Sequence, residues 1–359
     1  MAQKPYIQPI PAFTGLRGLA SLAVVAYHFR DALQGHVPDT VVAALGQGFL
    51  AVDLFFILSG FVIYLNYRWM FDDFSLRSTR LFVAARLGRV YPVHLFVSLA
   101  YLLNPVTIML FSTARDLGTR YDPGYYLMSL FLVHNWGLTN AVEWNVPSWS
   151  ISTEWFAYLM FPLLLIGLKS RTSRPRAIVA RMVGIFLVLA VFFALAGVQS
   201  IGENIPQFGV LRCLLEFLAG IALCQLYLTV KPPRQLLNAG LLIAALGLTV
   251  ITIGLDLPDF LFIPAAFALL LFSLTTNEAP LSKLLSIGPL QWLGEISYSL
   301  YMIHFLIKDW VKFASGSYAP TPALFALYIA LALAAAFAVH ILIEKPGMQL
   351  FKSRSLKKA

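Results

Sequence analysis

The chain has 359 residues, of which 59% are hydrophobic and 12% are charged. A soluble globular domain is nearer half apolar and a quarter charged, so this composition excludes a soluble domain, a disordered chain and a disulfide scaffold. The net charge is +9. The basic residues of the chain stand in clusters between apolar runs, which is typical of cytoplasmic loops and not of nucleic-acid binding. The sequence therefore predicts an all-α, polytopic integral membrane protein with no nucleic-acid partner.

Ten apolar runs are long enough to cross a bilayer, since a spanning helix needs about 20 mostly apolar residues. They lie near residues 11–31, 48–67, 92–111, 148–168, 180–199, 207–229, 236–254, 259–276, 289–312 and 322–343. A shorter run, 124–138, cannot span comfortably, and we interpret it as a re-entrant or interfacial segment. The sequence thus predicts about ten transmembrane helices in one domain, 1–359, with a core over about 11–346 and a basic cytoplasmic tail over 347–359.

Four clusters of basic residues set the predicted orientation, because cytoplasmic loops carry an excess of lysine and arginine. The clusters lie at 68–89, 169–181, 231–234 and 345–358. Ten spans with the N-terminus inside put all four clusters in the cytoplasm, whereas an extra span at 124–138 would send the last three outward. We therefore expect a multi-pass protein of the inner (plasma) membrane, embedded in the lipid bilayer, with both termini cytoplasmic.

The first span contains two ionisable side chains, which are costly inside a membrane and usually face a cavity or a partner. Arg17 and His28 are eleven residues apart, which puts them on one helix face about 16 Å apart. Arg17 then lies toward the cytoplasm and His28 toward the outer leaflet. Histidine takes and returns a proton near neutral pH, so His28 is a catalytic candidate; a structural interfacial histidine is the alternative.

Two arginines stand immediately before the third predicted span. Arg86 and Arg89 are three residues apart and point the same way on a helix. A guanidinium pair of this kind is suited to bind phosphate. The alternative is ordinary positive-inside charge, as for Arg77 and Arg80, which lie farther from the span.

The fourth and sixth spans each carry an i, i+4 pair of polar residues. In the fourth, Glu154 follows Ser150 near the outer end, where a carboxylate can orient His28 or act as a base; a helix-start carboxylate favoured by the helix dipole is the alternative. In the sixth, we interpret Arg212 and Glu216 as a mutually neutralising structural ion pair.

The ninth span places Ser297, Tyr301 and His304 on one face by their i, i+4, i+7 spacing. Tyr301 is also explained by simple packing, whereas the position of His304 near the middle of the membrane favours a functional role. His340 and Glu344 end the last span, at the cytoplasmic interface, where charged groups need no special function.

Seven segments carry these residues in a fixed order along the chain: "FTGLRGLASLAVVAYHF", "VDLFFILSGFVI", "ARLGRVYP", "VPSWSISTEWFAYLMFP", "LRCLLEFLAG", "LGEISYSLYMIHF" and "IEKP". In this order and spacing, which cover residues 11–346, they resemble the membrane-bound acyltransferase-3 family. Any one segment is a weak signal, and the order makes the resemblance specific.

The resemblance implies transfer of an acyl group, commonly acetyl, from cytoplasmic acyl-coenzyme A to a hydroxyl of a sugar or lipid-linked saccharide. It implicates His28 in acyl transfer, and Arg17, Arg86 and Arg89 in function and donor handling. The chain has "AAR" where many relatives have adjacent arginines. Some relatives add an extracellular esterase-like domain; none follows here, so we expect the membrane core or a separate partner to complete the transfer.

The residues and the resemblance together predict an O-acyltransferase, specifically an O-acetyltransferase. The candidates are His28 and Glu154 for catalysis, Arg17, Arg86 and Arg89 for binding acyl-coenzyme A, and Arg212, Tyr301 and His304 as further site residues. A transporter or flippase with a path through His28, Glu154 and Arg212 is the alternative. No metal-site spacing or phosphate-binding loop stands out. The acceptor stays open among exopolysaccharide, lipopolysaccharide, peptidoglycan and a small glycoside or macrolide.

Overall fold

The structure, a computed structural model, describes residues 9–72, 75–111, 118, 120–169, 174–230, 235–316 and 321–357. In these ranges the chain is helical and contains no β-strand, as predicted. Its first eight α-helices are α1 (Pro11–Tyr27), α2 (Asp39–Gly46), α3 (Ala51–Tyr67), α4 (Leu76–Tyr101), α5 (Leu103–Phe111), α6 (Pro123–Leu130), α7 (Ser148–Lys169) and α8 (Pro175–Leu195).

Seven further α-helices follow in the described part of the chain: α9 (Ile205–Thr229), α10 (Gln235–Gly254), α11 (Ile263–Ser273), α12 (Pro280–Leu285), α13 (Gly288–Ser315), α14 (Pro322–Val339) and α15 (Lys345–Lys357). Short 3-10 helices cover Arg30–Leu33, Gln47–Leu50, Arg68–Phe71 and Asp259–Leu261, and a π-helix covers His340–Glu344. Of the basic clusters, residues 171, 231, 234 and 358 lie outside the described ranges.

Seven helical stretches in the described residues are long and apolar enough to cross a membrane. They are Asp39–Phe71, Leu76–Phe111, Ser148–Gly167, Pro175–Leu195, Ile205–Thr229, Leu237–Gly254 and Pro322–Phe351. The other three predicted spans contain α1 with 17 residues, α11 with 11, and α13 with 28 and several charged side chains. The all-helical membrane character is confirmed, and the count of ten spans stays a prediction.

Contacts between helices give their relative directions. Arg17 of α1 lies beside Gly294 of α13, and His28, just after α1, lies beside His304, so α1 and α13 are parallel. Phe82 near the start of α4 contacts Phe161 near the end of α7, so these two helices are antiparallel. Alternating spans, with α1 first, α4 third, α7 fourth and α13 ninth, have these same relative directions.

The short run at 124–138 contains only α6, which has eight residues and is therefore about 12 Å long. A helix of this length cannot cross a hydrocarbon core about 30 Å thick. Because α4 and α7 are antiparallel, the chain between them leaves and re-enters at the same end of the bundle. This geometry agrees with the interpretation of the segment as re-entrant or interfacial.

The helix of the third predicted span, α4, begins much earlier than predicted. The sequence prediction started this span at Pro92, but α4 begins at Leu76, where the Ser75 hydroxyl caps the helix by accepting the Ser78 amide at 3.0 Å. Pro92 lies inside the helix. Arg86 and Arg89 therefore project from the third and fourth turns of a continuous helix, not from a loop before it.

The predicted tail is also part of the bundle. Residues 345–357 form α15, which packs on α4 where Gly347 lies against Pro92 and Phe351 against Gly88. The predicted tail is therefore helical over residues 347–357, and its cytoplasmic location stays a prediction.

Glycines bring the first helix and α13 into backbone contact. A Cβ on Gly294 would overlap the carbonyl oxygen of Thr14, and a Cβ on Gly18 would lie 2.7 Å from the Gly294 amide nitrogen. Small residues let membrane helices approach this closely. The approach sets the register that places the polar residues of α1 against those of α13.

Candidate active site

Two cavities lie inside the bundle, and we call the first the arginine cavity. It encloses about 870 Å³ between α1, α3, α4, α7 and α13. Its charged lining residues are Arg17, Arg86, Arg89 and Glu154, and most of its remaining wall is apolar. The three arginines expected to act together are thus brought to one cavity, although they come from two helices.

The partners of these arginines differ. Arg17 donates to the carbonyl oxygen of Gly294 at 2.9 Å and to the Ser297 hydroxyl at 3.3 Å. Arg86 donates to the Tyr67 hydroxyl at 2.5 Å, and its buried Nε has no hydrogen-bond partner among the described residues. Both guanidinium groups therefore face neutral oxygen atoms and keep capacity to bind an anion.

Arg89 is instead committed to a carboxylate. It forms an ion pair with Glu344, whose other oxygen accepts from the Ser299 hydroxyl at 2.6 Å and lies 2.9 Å from His340 Nδ1. Glu344 and His340 are 1% and 5% exposed. The two residues, which the sequence analysis placed at the cytoplasmic interface without a special function, are thus buried in the bundle and hold Arg89.

The second cavity, which we call the histidine cavity, encloses about 840 Å³ next to the end of α1. His28 and Arg212 line it, together with the aromatic rings of Tyr27, Phe49 and Trp149. Aromatic faces beside a few polar groups form the kind of wall that holds a small organic ligand.

His28 lies against a second histidine. The ring centroids of His28 and His304 are 5.2 Å apart with the planes tilted by 34°. His304 Nδ1 lies 2.7 Å from the Tyr301 carbonyl oxygen, which can only accept, so Nδ1 carries the proton. Nε2 of this buried ring then has a lone pair, and no described residue occupies it.

Arg212 pairs with a residue that the sequence interpretation missed. Its Nε and Nη2 donate to the two oxygens of Asp53 at 2.7 and 2.8 Å, and Nη1 donates to the Ile201 carbonyl at 3.0 Å. The predicted Arg212–Glu216 ion pair was wrong: both oxygens of the buried Glu216 lack a hydrogen-bond partner in the described structure. The bidentate fork on Asp53 satisfies the guanidinium better than a neighbour on its own helix.

Glu154 lies in the arginine cavity, not beside His28. Its Oε1 accepts a hydrogen bond from Tyr158 at 2.6 Å, one turn farther along α7. Among the described residues that line the histidine cavity, it does not appear. The expectation that Glu154 orients His28 stays a prediction, and the structure places the carboxylate in the lining of the arginine cavity and His28 in that of the histidine cavity.

Val52 and Tyr301 line both cavities, so the two spaces meet at this point. The Tyr301 hydroxyl is 2.7 Å from the Ser150 hydroxyl and 3.1 Å from the Pro147 carbonyl oxygen. Along α13, Ser297 contacts Arg17, Tyr301 stands at the junction, and His304 contacts His28. The predicted face of α13 thus runs from one cavity to the other.

The described residues contain no group of three or more histidine, cysteine, aspartate or glutamate side chains arranged to hold a metal ion. Asp53 is an acidic residue that pattern reasoning passed over, and Glu344 was given no partner by it. Both stood in quoted segments, "VDLFFILSGFVI" and "IEKP", and a lone carboxylate inside an apolar run is itself a signal for a buried partner.

Comparison with known proteins gives a family match over nearly the whole chain. The family model of the acyltransferase domain matches residues 10–341. The acyltransferase MdmB of Streptomyces mycarofaciens is 28% identical, and the alignment covers 98% of this chain and 94% of that protein.

Two further relatives have names that include their acceptor. The peptidoglycan O-acetyltransferase OatA of Listeria monocytogenes is 24% identical over 83% of this chain, and the putative peptidoglycan O-acetyltransferase YrhL of Bacillus subtilis is 26% identical over 82%. The alignments cover 49% and 48% of those proteins, so the chain spans about half their length. No solved structure gives a significant match.

Proposed function

The chain belongs to the acyltransferase-3 family, and on this premise we propose that it moves an acetyl group from cytoplasmic acetyl-coenzyme A to a hydroxyl of a saccharide or glycoside. The observation that carries the proposal is the junction of two cavities at Val52 and Tyr301, with three arginines in one cavity and His28 in the other. Because the family is one of acyl-transferring enzymes, the alternative of a transporter with a path through His28, Glu154 and Arg212 is set aside.

The donor binds in the arginine cavity. Coenzyme A is a polyanion, and Arg17 and Arg86 have no carboxylate partner among the described residues, so both can donate to phosphate oxygens. Arg89, whose Nη1 is held by Glu344, adds positive charge to the same cavity. The apolar wall of the cavity, which includes Phe55, suits the pantetheine arm that leads toward Tyr301.

The acceptor binds in the histidine cavity, where the aromatic rings of Tyr27 and Trp149 can stack on a sugar ring. His28 takes the proton of the acceptor hydroxyl while its oxygen attacks the thioester carbonyl carbon. The carbon–sulfur bond breaks, and the coenzyme A thiolate takes the proton from His28. The products are the ester and the free thiol. Alternatively, His28 carries the acetyl group briefly as an acyl-imidazole.

His304 positions His28 in either route. Its buried Nε2 has no hydrogen-bond partner among the described residues, and its ring lies against that of His28, so Nε2 is available to accept the N–H of His28. That contact would leave the other nitrogen of His28 unprotonated and facing the acceptor. A carboxylate performs the same task for histidine in other acyl-transfer sites. This assignment replaces the role expected of Glu154.

The protein lies in the inner (plasma) membrane with ten spans and both termini in the cytoplasm, so that the arginine cavity opens toward the cytoplasm. A reporter enzyme that is active only outside the membrane tests this topology. We expect activity when the reporter is inserted in the 31–47 loop and none when it is fused after Ala359. Activity at the C-terminal fusion would overturn the orientation and with it the direction of transfer.

The enzymatic proposal is tested with purified protein in detergent. We expect radiolabelled coenzyme A to bind and acetyl-coenzyme A to compete for the same site. We also expect labelled acetyl to appear on a soluble peptidoglycan disaccharide or on a neutral glycoside, the two acceptor classes offered in parallel. Rapid acid quenching then looks for acetyl on the protein, which separates an acyl-imidazole from direct transfer. Absence of coenzyme A binding would refute the donor assignment.

A further inference from the structure

Tyr301 is the polar residue at the junction of the two cavities. Its side chain lines both of them, although the residue is only 5% exposed. The Phe55 ring meets its ring edge-on with the centroids 6.0 Å apart, which limits movement of the phenol. A thioester that enters from the arginine cavity and reacts at the histidine cavity would bring its carbonyl group to the wall that Tyr301 and Val52 share between the two spaces.

The hydrogen bonds of Tyr301 leave one proton that can be redirected. The hydroxyls of Tyr301 and Ser150 are 2.7 Å apart, and each is 3.1 Å from the Pro147 carbonyl oxygen. Each hydroxyl has a single proton. When Ser150 donates to Pro147, Tyr301 donates to Ser150, and a carbonyl oxygen at the junction can replace Ser150 as the acceptor. Ser150 keeps its own bond to Pro147, so this exchange leaves no donor unpaired.

We infer that the Tyr301 hydroxyl, backed by Ser150, binds the carbonyl oxygen of the donor thioester and stabilises the negative charge that develops on it during transfer. The inference rests on the proposed function and deepens it. As the acceptor oxygen attacks the carbonyl carbon, the electron pair of the C=O bond moves onto this oxygen. It returns when the carbon–sulfur bond breaks and the thiolate leaves with the proton from His28.

The position of Tyr301 relative to the histidines fits this role. Its backbone carbonyl accepts the Nδ1 proton of His304, and the His304 ring contacts His28. Tyr301 therefore lines the arginine cavity and also stands beside the histidine pair, on the wall that the two cavities share. Because the hydroxyl is already held at this place, it needs little reorganisation when the thioester carbonyl oxygen becomes charged.

The test compares two donors that differ in the carbonyl oxygen. Acetyl-coenzyme A has it, and S-ethyl-coenzyme A is a thioether of the same length that lacks it. Competition against labelled coenzyme A gives the affinity ratio of the two. We expect Tyr301→Phe to remove the preference for acetyl-coenzyme A, a loss of about 2- to 13-fold for one hydrogen bond. It should also slow release of coenzyme A from acetyl-coenzyme A by about 10²–10³-fold.

Tyr298→Phe is the matched control. Tyr298 lies on the same helix and lines the arginine cavity, but its hydroxyl donates to the Val90 carbonyl oxygen at 2.6 Å. The control should keep the preference for the carbonyl compound. Affinity for coenzyme A itself reports on the folding of each variant, because the free thiol has no carbonyl to lose.

The outcomes separate this inference from the proposed function. Loss of the preference in Tyr301→Phe and its retention in Tyr298→Phe support the inference. Retention of the preference in Tyr301→Phe, or no preference in the unmodified protein, overturns it while the donor site stands. If the unmodified protein binds none of the three compounds, the donor site itself is refuted.

Discussion

Arg212 in the histidine cavity faces the opposite kind of partner from Arg17 and Arg86 in the arginine cavity. In the histidine cavity, Arg212 is 2% exposed and forks onto both oxygens of Asp53 at 2.7 and 2.8 Å. In the arginine cavity, Arg17 and Arg86 donate to carbonyl and hydroxyl oxygens. A charge that is neutralised by the protein supports the fold, whereas one that meets neutral oxygens is available to a ligand. Under the proposed function, the contrast divides these three arginines into a structural one and two that bind the donor.

The largest effect should come from the proposed base of the histidine cavity. We expect His28→Gln to lower acetyl transfer by about 10²–10⁴-fold, because glutamine keeps a hydrogen bond but cannot shuttle a proton. Affinity for coenzyme A should not change, since the phosphates bind in the other cavity. The measurement is transfer and binding on the same purified sample. His36→Gln, at an exposed histidine between α1 and α2, is the matched control. Normal turnover in His28→Gln would mean that His304 is the base instead.

The second prediction concerns the structural arginine. Asp53→Asn leaves the Arg212 charge buried without a counter-ion, which we expect to cost about 3–5 kcal/mol of stability. Thermal unfolding in detergent, followed by size-exclusion chromatography, measures the loss. Glu216→Gln is the matched control, because the oxygens of Glu216 lack a partner in the described residues. If Glu216→Gln were the more damaging change, the original Arg212–Glu216 pairing would be restored.

The third prediction concerns the arginines that meet neutral oxygens. We expect Arg86→Ala to weaken coenzyme A binding by about 10- to 100-fold, the value of a charge-assisted contact of about 1.5–3 kcal/mol. Arg80→Ala, at an exposed arginine on the same helix, should leave affinity unchanged. Equilibrium binding of labelled coenzyme A checks both. Equal affinities in the two variants would mean that Arg86 is an ordinary cytoplasmic charge of the positive-inside rule and does not bind the donor.

Local patterns in the sequence predicted much of what α1 and α13 do. Helical spacing placed Arg17 and His28 on one face, and the structure puts both against α13. The same rule placed Tyr301 and His304 on the face that follows the two cavities. These predictions succeeded because the periodicity of one helix decides which of its residues share a side.

Contacts between helices distant in sequence were not predictable in the same way. The rule for i, i+4 pairs joined Arg212 to Glu216, yet its partner Asp53 is 159 residues away. That pairing depends on the register of α3 against α9, which is set where a Cβ on Gly60 would overlap the backbone of Phe217. A single sequence gives no measure of such register, and so the pairing became visible only in three dimensions.

The smallest expected effect is that of Glu154→Gln. Its direction is opposite to the one that the sequence interpretation implies. The sequence interpretation made Glu154 a partner of His28, so that Glu154→Gln would impair transfer. In the structure its carboxylate lies in the arginine cavity, where, under the proposed function, it would repel the phosphates of the donor. Removal of this charge should tighten coenzyme A binding by about two- to fivefold, since Coulomb energies between partly screened charges are modest. The gain should shrink as salt is raised, and turnover at saturating donor should stay within about twofold. A fall in turnover with unchanged donor affinity would instead support a direct role for Glu154 in the chemistry.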